Sequence, residues 1–95
     1  MFIVLLRFSG NKARAGDFMD GHRAWLQRGF DDGVFLLAGT LQPGIGGAIL
    51  ADGGTLEEME ARVGEDPFVA ENVVTAEILD MTASKADDRL AFLLN

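Results

Sequence analysis

Residues 34–51 have the sequence VFLLAGTLQPGIGGAILA, and this stretch decides how the rest of the chain is interpreted. It has no charged residue and approaches the length of a membrane-spanning helix. However, Pro43 and the glycines near its centre would break such a helix, and strand-forming residues flank them on both sides. The stretch therefore predicts two strands, over residues 34–41 and 48–51, joined by a loop over residues 42–47.

Two further stretches have the composition of β-strands. Residues 2–8, FIVLLRF, form a short apolar run that is ended by Ser9-Gly10-Asn11. Residues 73–81, VVTAEILDM, form another near the end of the chain. With the two strands above, the sequence predicts four strands in all.

Helical patterns lie between these strands. The first helix is predicted to run from Asp17, which can cap it, to about Asp31, because apolar residues recur at helical spacing between the two. The second is predicted to start at Thr55, where Thr55 and Glu58 form a capping-box pattern, and to stop at Gly64.

The resulting order, βαββαβ, is that of a ferredoxin-like α+β domain, with a four-stranded antiparallel sheet and two main helices on one face. A chain of 95 residues has room for one domain, which we place over residues 1–95, with a core over 1–81 and a tail over 82–95. The tail is predicted to supply a short helix after Ser84. It can pack on its own domain or on a neighbour.

The sheet is predicted to need a partner on its second face. The first two strands are apolar at consecutive positions, so both faces of the sheet require burial. Two helices can cover only one face. The simplest cover for the other is the sheet of a second copy, which predicts a homodimer through sheet faces. The alternative is that the tail folds over that face.

The charge of the chain argues against several classes of partner. Its 15 acidic and 8 basic residues give a net charge of −7, and no cluster of lysine or arginine offsets it. Such a surface repels phosphate backbones and anionic lipids, so we expect no nucleic-acid partner and no membrane partner. The start of the chain lacks the basic segment of a signal peptide, and the absence of cysteine suits a reducing compartment. We expect a soluble, cytoplasmic protein.

Most motifs for catalysis or cofactor binding are missing from the sequence. Residues 44–47, GIGG, precede a strand and no Lys-Ser/Thr pair follows them, which indicates a hairpin loop and not a phosphate-binding loop. Ser9 and Ser84 lie in no nucleophile pattern. One histidine without cysteine argues against a transition-metal site, and the acidic residues lack calcium-loop spacing. We therefore expect no metal and no cofactor.

His22, the only histidine, is the first candidate for chemistry. It falls on the apolar face of the first helix, and imidazole is the side chain best suited to proton transfer near neutral pH. A lone histidine on an apolar face is, however, more often a hydrogen-bonded core residue. Asp66 is predicted to cap a helical turn that begins at Pro67, and its carboxylate could also orient the imidazole. The spacing of His22 and Asp66 along the chain does not show whether they meet.

Arg7 and Trp25 are weaker candidates for substrate binding. Arg7, near the end of the first strand, can contact an anionic substrate, although a surface carboxylate is its favoured partner. Trp25 neighbours His22 on the same helix face and can line a pocket. Such a tryptophan is more often part of a core or an interface.

Four short motifs, in their order and spacing, resemble the YCII-related family over residues 1–81. They are His22 in the first helix, Ala38-Gly39 in the second strand, the Pro43-Gly44 loop, and Glu65-Asp66-Pro67-Phe68-Val69 before the final strand. The resemblance implies a dimeric α/β barrel of ferredoxin-like subunits, with His22 and Asp66 as a proposed active-site pair. Members of the family are mostly uncharacterised, and at least one kind acts on chlorinated hydroxyquinols as a dehydrochlorinase. The tail after Met81 is not part of the pattern.

The His22/Asp66 pair and the resemblance together favour a first hypothesis, a cofactor-free enzyme of lyase or isomerase type that acts on a small organic molecule. In that reading His22 moves a proton and Asp66 orients the imidazole. The alternative is a non-catalytic dimeric module that binds a small ligand or a protein partner. A third reading, an oxygen-using monooxygenase, rests on analogy of fold alone.

Overall fold

The described part of the chain, residues 1–94 of a computed structural model, contains one four-stranded antiparallel sheet. Its strands are β1 (Phe2–Phe8), β2 (Phe35–Leu41), β3 (Gly46–Ala51) and β4 (Val74–Asp80). They lie in the order β2-β3-β1-β4, so β1 and β3 are central and the other two form the edges. This topology is that of a ferredoxin-like α+β domain, and it confirms the predicted fold class.

Three α-helices lie between the strands of this region: α1 (Ala15–Asp31), α2 (Leu56–Gly64) and α3 (Pro67–Ala70). The capping box predicted for α2 is present, because Thr55 Oγ1 accepts the Glu58 N–H and Glu58 Oε1 accepts the Thr55 N–H, each at 3.1 Å. The element order is therefore the predicted βαββαβ, and the helical turn predicted to begin at Pro67 is the short helix α3 before β4.

The start of α1 differs from the prediction. The helix begins at Ala15 and follows a 3-10 turn over Lys12–Arg14, and Arg14 occupies the N-cap position without a side-chain cap. Asp17, predicted as the cap, lies instead in the first helical turn and pairs with Arg14 at 3.5 Å. A carboxylate is favourable anywhere in the first turn because of the helix dipole. Asp17 therefore indicates that a helix starts nearby, but it does not determine which residue is the first.

The start of β3 also differs, because the strand begins at Gly46, two residues before the predicted start. Gly46 and Gly47 pair with β1 and β2, opposite Arg7 and Leu6 on one side and opposite Leu41 and Thr40 on the other. Glycine has no side chain to signal a strand, although nothing prevents its backbone from joining the ladder.

The core lies between the helices and one face of the sheet, which we call the inner face. Strand residues on this face alternate with exposed or half-buried ones, as the two-residue period of a strand requires. The buried apolar residues are Phe2, Val4, Leu6, Trp25, Phe35, Ile49, Ala51, Met59, Val63, Phe68, Val73 and Val74.

The opposite face of the sheet, the outer face, is also apolar over part of its area. Leu37, Leu50, Ile3 and Leu79 form one row across the four strands. Leu37 is 64% exposed and Leu79 is 42% exposed, so the helices leave this row uncovered. The sheet therefore has apolar residues on both faces, as its sequence predicts.

The tail contains a 3-10 segment, Asp88–Leu94, that is kinked at Leu90. The predicted short helix after Ser84 is thus a 3-10 structure that begins a few residues later. The tail forms a cleft with Met1 and Leu50 of its own chain, while Leu90 remains 44% exposed. Hydrogen bonds from the backbone and side chain of Arg89 lower the pKa of Asp87 at the start of this segment. No helix within residues 1–94 is both long and apolar enough to cross a membrane.

Replacing Gly29 with alanine is expected to destabilise the protein by about 1–3 kcal/mol, the usual cost of overpacking a core. Gly29 is buried where α1 crosses β2, and a Cβ there would lie 2.0 Å from Cδ2 of Phe35. The Gly16→Ala variant is the control, because a Cβ at that position of the same helix meets nothing within 4 Å. Urea denaturation measures both free energies of unfolding. Equal values for the two variants would contradict this account of the packing.

Candidate active site

The side chains of His22 and Asp66 meet beneath the helices. His22 projects from α1, Asp66 precedes α3, and the distance from His22 Nδ1 to Asp66 Oδ1 is 2.9 Å. Asp66 is fully buried, whereas the His22 side chain is 17% exposed. The pair thus has one closed end at the carboxylate and one end that a ligand can reach at the imidazole.

Asp66 is held in place by the local structure of α3. Its Oδ1 accepts the Phe68 N–H at 3.0 Å, and Pro67 occupies the first helical position, as the sequence predicts. The same oxygen therefore caps the helix and contacts the imidazole. The carboxylate cannot leave His22 without also losing the cap.

Gly21 allows α1 to come close enough to α3 for this contact. A Cβ at Gly21 would lie 3.1 Å from Cγ of Pro67, which is tighter than an ordinary van der Waals contact. Since Gly21 precedes His22 and Pro67 follows Asp66, the approach of these two residues brings the functional side chains together.

Aromatic rings surround the imidazole. Phe68 is stacked on His22, with ring centroids 4.1 Å apart and planes 5° apart, and the Trp25 ring lies 5.8 Å away. Trp25 itself is 2% exposed, and its Nε1–H donates to the carbonyl oxygen of Arg62 at 2.9 Å. These ring contacts and the hydrogen bond to Asp66 together fix the orientation of the His22 ring.

The hydrogen bond determines which imidazole nitrogen is available for chemistry. An ionised carboxylate can only accept, so Nδ1 carries a proton and donates it to Asp66. The neutral ring then has its lone pair on Nε2, which contacts no hydrogen-bond partner among the described residues. Asp66 Oδ2 is buried and likewise has no hydrogen-bond partner in residues 1–94. The arrangement suits a base at Nε2 supported by a carboxylate behind it.

A cavity of about 300 Å³ lies next to the imidazole, between the helices and the inner face of the sheet. Its walls include His22, Met19 and Phe68 from the helices, and Thr40 and Gly47 from the strands. Most of the remaining lining is apolar. The volume is at the lower end of the range of about 300–1,000 Å³ that is usual for small-molecule pockets.

The two weaker candidates from the sequence lie away from this cavity. Arg7 projects from the outer face, where its Nη1 pairs with Glu77 Oε1 at 3.0 Å and both side chains are about half exposed. Arg7 therefore pairs with a surface carboxylate, the partner that the sequence analysis favoured over an anionic substrate. Trp25 is in the core and does not line the cavity. No three histidine or acidic side chains within residues 1–94 are grouped as metal ligands.

Thr40 and Phe68 line the cavity and were not predicted as site residues. The signal for Thr40 is its position two residues after Ala38, which places both on the inner face of β2. Phe68 has no such signal, because its contact with His22 depends on how α3 approaches α1.

The comparison with solved structures finds an enzyme of similar fold. The chain is similar to the 5-chloro-2-hydroxyhydroquinone dehydrochlorinase of Burkholderia phenoliruptrix AC1100, in complex with 2,5-dihydroxybenzoquinone, with a TM-score of 0.69 and 14% sequence identity. The similarity covers 88% of this chain and 96% of the other. No protein-family model and no curated protein matches the sequence. At this identity the similarity shows a shared fold.

Replacing Gly21 with alanine is expected to weaken the His22–Asp66 hydrogen bond. The added Cβ requires Pro67 to move by a few tenths of an ångström, and Pro67 is bonded directly to Asp66. The readout is the imidazole ¹⁵N spectrum, which reports the tautomer and contains the signals of a single histidine. The Gly16→Ala variant is the control in the same helix. An unchanged His22 spectrum in Gly21→Ala would show that the close approach does not position the pair.

Proposed function

We propose that this chain is a cofactor-free enzyme of lyase or isomerase type and a member of the YCII-related family. His22 acts as the general base and Asp66 as its orienting partner, and the substrate is a small organic molecule. One observation carries the proposal: the hydrogen-bonded His22–Asp66 pair lies next to a cavity of about 300 Å³. A histidine with only a structural role would be expected in close-packed core, and not in the wall of a cavity.

The reaction begins with transfer of a proton from the substrate to Nε2 of His22. The imidazolium that forms is stabilised by the Asp66 carboxylate, which accepts its Nδ1–H. The electron pair of the broken C–H or O–H bond stays on the substrate. In a lyase reaction it expels a leaving group, and in an isomerase reaction it moves a double bond before the substrate takes a proton back from Nε2 at another atom.

The structural relative supports the lyase reading. That protein is named as a dehydrochlorinase, and its complex contains a dihydroxybenzoquinone, a small oxygenated ring. Loss of hydrogen chloride requires proton removal and departure of chloride, and the first of these is what the His22–Asp66 pair can do. Hydroxylated aromatic compounds that carry a halide are therefore the first substrates to test.

A non-catalytic ligand-binding module is the alternative. It would use the same cavity without any proton transfer, so the cavity alone does not distinguish the two functions. The hydrogen bond to a buried carboxylate favours catalysis, because a ligand-binding role requires no control over the imidazole tautomer.

The chain is also proposed to form a homodimer through the outer face of its sheet. The row of Leu37, Leu50, Ile3 and Leu79 supports this, because its two edge leucines are 64% and 42% exposed in the single chain. The tail forms a cleft with Leu50 of this row, and a second copy of the same face can cover the exposed edge leucines with matching apolar residues. The cavity lies on the opposite side of the sheet and stays accessible in such a dimer.

Substitution of the pair is expected to abolish most of the activity. His22→Ala should lower kcat by about 10²- to 10⁴-fold, the usual contribution of a general base. Asp66→Asn keeps a capping oxygen but removes the charge. It should lower kcat by about 10- to 100-fold, because a charged hydrogen bond contributes about 1.5–3 kcal/mol. Chloride release from 5-chloro-2-hydroxyhydroquinone and related halides measures the rate, and exchange of substrate protons with solvent deuterium covers isomerase reactions.

Asp20→Asn is the matched control for that experiment, because it makes the same chemical change on the exposed side of α1. It should retain full activity. A demonstrated activity that survived in both His22→Ala and Asp66→Asn would refute the proposed mechanism.

Leu37→Glu and Leu79→Glu are each expected to convert the dimer to a monomer, because each buries a carboxylate in an apolar interface without a partner. Sedimentation analysis measures the mass of the assembly. Leu56→Glu is the control, since Leu56 is 39% exposed but lies on α2, away from the outer face. A wild-type chain that stayed monomeric at micromolar concentration would refute the dimer.

A further inference from the structure

We infer that the cavity beside His22 selects uncharged substrates and discriminates against carboxylates and phosphates. This inference rests on the proposed function, since it concerns the molecule on which His22 would act. It follows from the charged and polar groups around the cavity, from the fate of charge during proton transfer, and from the position of Thr40.

The polar groups that face the cavity are few. Among the lining residues of the described chain, only His22 and Thr40 have nitrogen or oxygen in their side chains, and none is lysine or arginine. A carboxylate or phosphate that entered would lose part of its hydration without meeting a lysine or arginine in the lining. Burial of an ionised group is strongly unfavourable under those conditions.

Arg7 and Lys12, two cations close to lining residues, contact other groups. Arg23, next to His22 on α1, is exposed and is not part of the lining. Arg7 is on the outer face and pairs with Glu77 at 3.0 Å. Lys12 lies over the Phe8 ring, with its Nζ 5.0 Å from the ring centroid, and is not part of the cavity wall although Phe8 is. Asp66, directly behind His22, adds a negative charge to this region. The electrostatic environment therefore favours a neutral ligand over an anion.

The proton transfer itself supplies one positive charge. When Nε2 takes a proton from a neutral substrate, the ring becomes an imidazolium and the substrate becomes a monoanion next to it. A substrate that was already anionic would hold two negative charges after the same step. The cavity contains one imidazole and no further cation to balance the second charge.

Thr40 supplies the second polar side chain of the cavity, after His22. It lies on the inner face of β2, opposite Gly47, is exposed, and its hydroxyl makes no hydrogen bond to any residue within 1–94. A hydroxyl can donate or accept, so it suits a neutral oxygen or nitrogen substituent. The selected molecule is thus a compact apolar one with an acidic hydrogen for His22 and an uncharged polar group for Thr40.

The test compares two ligands of the same size and shape, 4-hydroxybenzamide and 4-hydroxybenzoate, which differ in charge at neutral pH. Both are titrated into the full-length protein, and binding is followed by the imidazole resonances of His22, the single histidine. We expect the amide to shift these resonances and to bind with a Kd about tenfold or more below that of the carboxylate. Thr40→Val should weaken amide binding by about 2- to 10-fold, whereas Thr75→Val, on the outer face of β4, should not.

Three results would overturn the inference. The first is equal or tighter binding of 4-hydroxybenzoate, and its loss in Lys12→Met would then assign the anion to Lys12. The second is that neither ligand shifts the His22 resonances. The third is that amide binding is insensitive to Thr40→Val.

The charge selection and the proposed function can fail independently. Preference for the carboxylate, with activity still lost in His22→Ala, would overturn the charge selection alone. Preference for the amide, with activity unchanged in His22→Ala, would support the charge selection and refute the catalytic role.

Discussion

The hydrogen bonds of Asp66 Oδ1 are the interaction on which the site depends. One oxygen accepts the Phe68 N–H at 3.0 Å and lies 2.9 Å from His22 Nδ1, so the cap of α3 and the orientation of the imidazole share one atom. The carboxylate is fully buried, and its second oxygen has no hydrogen-bond partner among residues 1–94. A carboxylate is therefore buried at a point where one of its oxygens serves both contacts. A helix cap alone would not need it, because serine or threonine can cap a helix as well.

Much of the fold is predictable because its signals are local. The run Phe2–Phe8 became β1 with the predicted bounds, and the Thr55–Glu58 capping box formed as expected, since each depends on residues within one element. The start of α1 was not predictable, because Asp17 is as favourable inside the first turn as at the cap. The start of β3 was hidden because Gly46 has no side chain to signal its place in the ladder.

The site is less predictable than the fold, because it depends on the packing of elements distant in sequence. His22 and Asp66 could be named as candidates from their residue types and local positions. Their contact could not, since it requires the approach of α1 to α3 at Gly21 and Pro67. The stacking of Phe68 on His22 has the same origin. The position of Arg7, by contrast, follows from local structure alone. Side chains alternate between the two faces of a strand, so Arg7 lies on the outer face while its neighbour Leu6 lies in the core.

The chain contains one tryptophan and no tyrosine, and Trp25 lies 5.8 Å from the imidazole of His22. Its indole is buried, in edge contact with Phe35 and hydrogen-bonded to the backbone of α2, so its own surroundings are fixed. Changes in its emission therefore report mainly on the adjacent imidazole, whose protonated form quenches indole fluorescence. The molecule thus contains its own optical reporter of the histidine charge, which makes proton uptake at His22 observable in real time without a label.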